Sequence, residues 1–231
     1  MIIDAEFKET KHILDADFGE VCNIGYDKGY INGENNGYTN GLEEGKEKAK
    51  SDFWDSFQDN GNRTNYIYAF AGGQNAENPW RKLLFENGFL PKYPIKPLDG
   101  GSMFSQMDAN IDLTEFIEKN NLDWDFTKLT NANFMFQYSK FTRIPKIYNA
   151  KNGLASVFGS CDLLETIDEV GTGSTSSTSW NSAFSGCTAL KNIKIKGTIS
   201  CSTFDVKSSV NLTHESLMSI INALADKSTG V

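Results

Sequence analysis

The chain has 231 residues, of which 39% are hydrophobic and 23% charged, and its formal net charge is -8. These proportions are typical of a globular protein with a modest apolar core. Nucleic-acid binders cluster Lys and Arg to neutralise phosphates, and the sequence has no such cluster, so we expect neither nucleic acid nor an anionic membrane surface as a partner. No apolar run approaches the ~20 residues that span a bilayer, so we expect no membrane insertion.

The first 24 residues have neither the basic segment nor the apolar run of a secretory signal peptide. We therefore expect synthesis in a cytoplasm, with reduced thiols. The four cysteines, Cys22, Cys161, Cys187 and Cys201, form no CxxC pair. With only two histidines in the chain, we predict no metal site and no cofactor.

A glycine occupies every fourth position from residue 25 to residue 45. The six are Gly25, Gly29, Gly33, Gly37, Gly41 and Gly45. Each costs about 1 kcal/mol relative to alanine in a helix, so an isolated helix is unfavourable here. Two interpretations remain open. One is a stalk in which the glycines allow close packing in a homo-oligomer, with a trimer favoured; the other is a mobile tether.

Further helices are predicted along the chain. One extends from Gly41 to a stop at Asn60-Gly61, and a second spans 79–87 with Asn78 as its cap. A third spans 112–120, and the alternation of apolar residues over 122–126 predicts a strand.

An apolar ladder with a step of three residues recurs in the second half of the chain. Offsets of 23 and 26 residues superpose its three units, within the range of leucine-rich repeats. The predicted ladder consists of Met135, Tyr138, Phe141, Phe158, Cys161, Leu164, Ile167, Phe184, Cys187, Leu190 and Ile193. One unit cannot bury its ladder alone, so stacked units share a core. Cys161 and Cys187 are predicted to be buried thiols, with a disulfide or a reactive thiol as the alternative.

Two features follow the ladder units. The Ser/Thr-rich stretch 171–179 predicts an exposed loop, after which Trp180 either stacks on a sugar ring beside Ser176 and Thr178 or packs beneath the ladder. Thr213 is predicted to cap a helix that covers the end of the stack. Its apolar face consists of Leu217, Ile220, Ile221 and Leu224.

The segments FGSCDLLETIDEV, AFSGCTALKNIKIKGTI and LTHESLMSIINAL resemble BspA-type leucine-rich repeats, in particular those of phage and prophage tail proteins from Gram-positive gut bacteria. FWDSFQDNGNRTNY, PKYPIKPLDGGSMF and, more loosely, ILDADFGEV belong to the same resemblance. It covers residues 51–225 well. Such proteins usually continue past the LTHESL helix, so we expect either a shorter family member or a missing final cap.

No catalytic constellation is recognisable in the sequence. GxSxG, HExxH, Walker A and strand-linked GxGxxG motifs are all absent. Asp162, Glu165, Asp168 and Glu169 would fit a glycosidase pair only weakly, because they occupy the non-ladder positions where a solvated charged face is expected. We therefore predict no catalytic residues and a protein that is not an enzyme.

The sequence thus predicts an α+β fold: a short leucine-rich-repeat solenoid with a capping helix, preceded by a helical or extended stalk. The predicted segments are 1–24 for attachment, 25–59 for the stalk and 60–231 for the repeats. The resemblance implies a non-enzymatic virion protein of the tail-fibre or baseplate type, assembled in the host cytoplasm. It would bind other virion proteins through its N-terminus and a glycan or protein on the host surface. The alternatives are a BspA-like bacterial surface adhesin and, less favoured, a glycan-active enzyme.

Overall fold

The structure, a computed structural model, describes residues 35–72, 78, 80–148, 153–171, 180–199 and 204–224, with side chains from residue 44 onward. The predicted attachment segment 1–24, Gly25, Gly29, Gly33, Ser176 and Thr178 lie outside the described residues. Two compact units are present. The described part of the first comprises 35–62 and 91–93; the second contains 63–90 and the chain from residue 94 onward.

The first unit is built on helix α1, Asn35–Phe57, which includes Gly37, Gly41 and Gly45. A 3-10 turn over Asp59–Gly61 follows, where Asn60 and Gly61 have φ values of 48° and 88°. Left-handed residues of these two types are common helix terminators, so the predicted stop is confirmed. The helix begins six residues before Gly41, despite the cost of its glycines.

The segment 91–93 is fastened to the end of α1 by polar contacts. The Gln58 side chain accepts a hydrogen bond from the Tyr93 amide and donates one to the Tyr93 carbonyl, both at 3.0 Å. Lys92 Nζ lies 2.7 Å from Asp55 Oδ1, and the Tyr93 hydroxyl also donates to Asp55. These hydrogen bonds, from Lys92 first and Tyr93 second, lower the pKa of Asp55.

The second unit contains short helices and a parallel sheet. A π-helical turn spans Arg81–Glu86, α2 spans Leu113–Lys119 and α3 spans His214–Ala223. The strands are β1 (Arg143–Ile144), β2 (Ile147–Tyr148), β3 (Thr166–Gly171) and β4 (Asn192–Lys196). The predicted helices over 79–87 and 112–120 are thus present, although the first has π geometry.

The sheet has three parallel rows, because β1 and β2 both pair with one edge of β3 and β4 pairs with the other. Pro145 separates β1 from β2, as expected of a residue that lacks an amide hydrogen. The predicted strand over 122–126 is wrong: within the described chain it is reduced to single parallel bridges at Trp124 and Phe126.

Five stacked turns are the main repeated feature of the described residues: 67–70, 101–106, 133–138, 155–160 and 181–186. Amide groups of each turn donate to carbonyl groups of the next. Phe70 N donates to Met103 O, Phe104 N to Met135 O, Phe136 N to Val157 O and Phe158 N to Ala183 O, at 2.8 to 3.0 Å. These bonds align the turns like the rungs of a parallel sheet.

One phenylalanine from each turn enters a continuous column of stacked rings: Phe70, Phe104, Phe136, Phe158 and Phe184. Centroids of consecutive rings lie 5.3, 5.5, 6.0 and 5.7 Å apart, and every ring is at most 1% exposed. Burial of five aromatic side chains is a large apolar contribution to a domain of this size.

The predicted ladder differs from the structure in its first unit. Phe136, not Met135, provides the ring that stacks on Phe158. Met135 is buried beside it, but Tyr138 is 51% exposed, so its assignment to the ladder is wrong. The offset is 23 residues at the strands, where Ile144 pairs with Ile167, and 22 residues at the turns, where Ser139 contacts Cys161. A single superposition of the sequence units cannot align the strands and the turns at the same time, because their offsets differ by one residue.

Helix α3 covers the open edge of β4. The Ser216 hydroxyl accepts from Ile193 N and donates to Lys191 O, both at 3.0 Å, and the Ser219 hydroxyl accepts from Ile195 N at 2.8 Å. Thr213 caps the helix by accepting from Ser216 N, as predicted. Covering an edge strand in this way prevents it from pairing with another chain.

The predicted apolar face of α3 is confirmed at Ile220 and wrong at its other three residues. The residues that face β4 are Ser216, Ile220 and Ala223, all buried. Leu217, Ile221 and Leu224 are between 44% and 57% exposed. The serines face inward because the edge of a strand requires hydrogen-bonding partners rather than apolar ones.

Candidate functional site

The surface of the five stacked turns, here called the turn face, is the candidate site. Asx turns begin the first three turns: the side-chain oxygens of Asn65, Asp99 and Asn131 accept hydrogen bonds from the amides two residues later, at 3.0, 3.1 and 3.0 Å. This is the usual local effect of Asn and Asp at a turn start.

Each turn contains a residue with left-handed φ at the same position: Tyr68, Ser102, Phe134, Ser156 and Ser182, with φ between 49° and 59°. A second such position follows four residues later at Gln106, Tyr138, Ser160 and Gly186. For residues other than glycine this conformation costs roughly 1 kcal/mol or more each. Since neighbouring turns bond their amides and carbonyls, the stack holds these residues in place.

Three aromatic side chains protrude from this surface. Tyr68 is 60% exposed, Phe134 41% and Tyr138 51%. Tyr68 and Phe134 occupy the same position two turns apart, and Tyr138 occupies the second left-handed position of the turn that contains Phe134. Exposed aromatic rings held by a rigid backbone are a frequent feature of binding surfaces.

Charged groups lie only beside the turn segments of the turn face: the Asp99 carboxylate begins the second turn, and the Asp205–Lys207 ion pair adjoins the fifth. The five turn segments contain no Asp, Glu, Lys or Arg, although 23% of the chain is charged. Serine, asparagine, glutamine and the aromatic residues provide all of its side-chain polarity and much of its apolar area. A charged ligand would therefore find no counter-charge within these turns.

A polar depression with a volume of about 240 Å³ adjoins the last turn. Its lining consists of Asn181, Ser182, Ser185, Asp205, Lys207 and Ser208. The Lys207 amide donates to Asp205 at 2.8 Å and its ammonium lies 3.0 Å from the same carboxylate. These two contacts lower the pKa of Asp205, so the depression combines one ion pair with hydroxyl and amide groups.

The strand side of the stack is charged and internally paired. Asp162, Glu165, Asp168 and Glu169 form ion pairs with Lys140, Lys191, Arg143 and Lys194, at 2.6, 3.0, 2.6 and 3.0 Å. Each pair joins segments that lie 22 to 26 residues apart in the chain. Glu169 is only 7% exposed and also lies 3.7 Å from Lys196, so its expected place on a solvated face is wrong. All four carboxylates thus connect segments that are distant in the sequence.

Trp180 was predicted either to stack on a sugar ring or to pack beneath the ladder, and the structure confirms the second alternative. It is 2% exposed, stacks on Phe184 at a centroid distance of 5.9 Å and meets Phe204 edge-on at 5.6 Å. The proposed ligand contact at Trp180 is therefore wrong. Exposed aromatic side chains lie instead at Tyr68 and Phe134, neither of which was predicted as a site residue, and at Tyr138, which was predicted to lie in the core.

Cys161 and Cys187 are free thiols buried between the turns. Cys161 Sγ donates to Phe136 O at 2.9 Å and Cys187 Sγ to Phe158 O at 3.0 Å. Burial raises the pKa of Cys161 to about 12 and raises that of Cys187 as well. Thiols of raised pKa are poor nucleophiles, so these two serve packing.

No protein-family model, curated protein or solved structure matches the chain. Among the described residues, none of the helices has the length and apolarity required to cross a bilayer. Within the same part of the chain, His, Cys, Asp and Glu side chains form no group of three or more suited to a metal ion.

Proposed function

We propose that the chain is a non-enzymatic binding module with a short leucine-rich-repeat solenoid, carried by a phage or prophage tail and directed at the host surface. The continuous column of five phenylalanine rings carries this proposal. A core filled by stacked rings leaves the outer surface of the repeats as the place for a ligand, as in other repeat proteins.

The arrangement of the chain supports the solenoid. Every repeat contributes one turn to the ring column. The last three also contribute one parallel strand row each, and helix α3 follows the last row. The steps between Phe136, Phe158 and Phe184 fall within the length of leucine-rich repeats. The two earlier steps exceed thirty residues, because they include the π-helical turn and α2.

The position of α3 supports its predicted role as a helix that covers an edge of the strand rows. The Ser216 and Ser219 hydroxyls complete the hydrogen bonding of β4, which would otherwise present a free strand edge. The role in a virion comes from the resemblance to BspA-type repeats of phage tail proteins, with residues 1–24 as the attachment segment and the glycine-rich segment as the stalk.

Binding to host material and the lack of turnover are tested together. Labelled protein is mixed with purified cell walls of Gram-positive gut bacteria, and bound protein and newly formed reducing sugar ends are measured over time. We expect saturable binding and a constant number of reducing ends. Reducing ends that increase in proportion to protein concentration would overturn the non-enzymatic assignment, and absence of wall binding would overturn the host-directed role. Tail, baseplate, holin or lysin genes beside this gene would support the virion role.

A further inference from the structure

We propose that the turn face binds an extended, neutral polysaccharide, with Tyr68, Phe134 and Tyr138 as stacking platforms. This inference rests on the proposed function and specifies the chemical class of its ligand. Sugar rings present flat patches of C–H groups that pack on aromatic rings, while their hydroxyls hydrogen-bond to polar neighbours. The turn face offers both kinds of group.

The absence of charged residues in the five turns favours a neutral ligand. A polyanion such as nucleic acid or teichoic acid requires Lys or Arg, and an acidic or basic peptide requires an opposite charge. Lys140, Arg143, Lys191 and Lys194 lie outside the five turns and are already paired with carboxylates, and Lys207 beside the fifth turn is paired with Asp205. Hydroxyl and amide groups remain as the polar partners on the turn face.

The geometry of the stack favours an extended chain over a single sugar. Cross-turn hydrogen bonds set the repeats about 4.8 Å apart, as in a parallel sheet, which is comparable to the length of one hexose in an extended polysaccharide. Tyr68 lies in the first turn, Phe134 and Tyr138 lie in the third, and the polar depression at Asn181 and Ser185 adjoins the fifth. Recognition elements are therefore spread along the full length of the face.

The backbone at the platforms is fixed before any ligand arrives. Tyr68 N donates to Gly101 O at 3.1 Å, Phe134 N to Ala155 O at 2.9 Å and Tyr138 N to Gly159 O at 2.8 Å. The aromatic side chains therefore lose little backbone freedom on binding. Pre-organisation of this kind increases affinity by reducing the entropy lost on association.

The test uses native gels that contain dextran, mannan, a β-glucan or galactan, with wall teichoic acid as the charged probe. Retardation of the full-length protein measures its association constant for each polymer. We expect retardation by at least one neutral polymer, and a decrease in that association constant of at least about tenfold in the double variant Phe134→Ala/Tyr138→Ala, which loses two stacking rings. Both side chains are exposed, so unchanged thermal unfolding serves as the check on folding.

The matched control is Tyr148→Ala, which removes an aromatic ring from the charged strand side, where Lys196 Nζ lies 4.0 Å from the ring centroid. We expect its retardation to equal that of the unaltered protein. Retardation by none of the four neutral polymers, or equal retardation of the double variant, would overturn the inference. If teichoic acid alone retards the protein, the result supports binding to the host surface but overturns the inference that the ligand is a neutral polysaccharide. If sugar is released, the non-enzymatic assignment fails while the ligand class stands.

Discussion

Asn133 Oδ1 accepts a hydrogen bond from the backbone amide of Ala155 at 2.8 Å, directly over Gly153. In the first three turns, an Asn or Asp two residues earlier in the same repeat accepts the corresponding bond. Gly153 occupies that position in the fourth turn and has no side chain. Asn133 of the preceding turn therefore accepts the bond instead, and a Cβ at residue 153 would overlap its side-chain oxygen.

Gly153→Ala should therefore destabilise the protein by about 1–3 kcal/mol, the usual cost of overpacking a site. Asn133→Ala should cost about 1–2 kcal/mol by leaving the Ala155 amide without its acceptor. In the double variant the new methyl group at residue 153 no longer meets the Asn133 side chain. The double variant should therefore lose clearly less free energy of unfolding than the two single variants lose in sum. Urea denaturation of the four proteins measures this cycle. Additive free energies would contradict the close approach of Asn133 and Gly153.

Phe136 in the ring column and the exposed Phe134 of the same turn allow a matched comparison of two phenylalanine substitutions. Phe136→Ala should lower the free energy of unfolding by about 3–5 kcal/mol, because a fully buried ring is lost between two neighbours. Phe134→Ala should change it by about 0.5 kcal/mol or less, because that ring is 41% exposed. Thermal and urea unfolding of both variants measures the contrast. Equal destabilisation by the two substitutions would argue against the column.

Several elements could be predicted because their causes are local. Thr213 caps α3 and Asn60-Gly61 ends α1, since capping and left-handed φ depend on a few adjacent residues. The offset of 23 residues also predicted the pairing of Ile144 with Ile167, because one face of each strand points into the core.

Other features depend on contacts between distant repeats. The first two turns were missed because the intervals that separate Phe70, Phe104 and Phe136 exceed thirty residues and match no fixed period. Tyr138 was assigned to the core because a three-residue step does not reveal a positive φ, which directs its ring to solvent. The exposed aromatic site could not be found for the same reason. In the structure, a phenylalanine follows the first left-handed position of every turn by two residues, but the left-handed φ itself cannot be recognised in the sequence.

The two buried thiols are expected to make the free energy of unfolding depend on pH. Because burial raises the pKa of Cys161 to about 12 and also raises that of Cys187, both stay protonated in the folded protein while unfolded thiols ionise near 9.0. Their contribution to stability is therefore fully present below pH 9. It decreases as the pH increases toward 12, by about 1.4 kcal/mol per thiol and pH unit.

Urea denaturation between pH 7.5 and 10 under reducing conditions tests this dependence. Compared with a Cys161→Ala/Cys187→Ala variant, the unaltered protein should lose stability more steeply above pH 9. In a Cys22→Ser/Cys201→Ser background, an alkylating reagent at pH 8 should modify the two remaining thiols only after unfolding. Rapid modification of the folded protein would show that Cys161 or Cys187 is accessible and reactive.

The hydroxyl groups of α3 should stabilise the end of the sheet. Ser216→Ala removes the acceptor for Ile193 N and a donor to Lys191 O, leaving buried backbone groups without these partners, and should cost about 1–3 kcal/mol. Asn222→Ala, at an exposed position of the same helix, should change stability by about 0.5 kcal/mol or less. Hydrogen exchange provides the sharper measurement: the Ile193 amide should lose protection in the Ser216→Ala variant, while the Phe158 amide, which is bonded within the turns, should keep its protection. Unchanged protection at Ile193 would mean that α3 does not complete the edge of β4. In that case an exposed strand edge would be expected to promote association of the chain through this end.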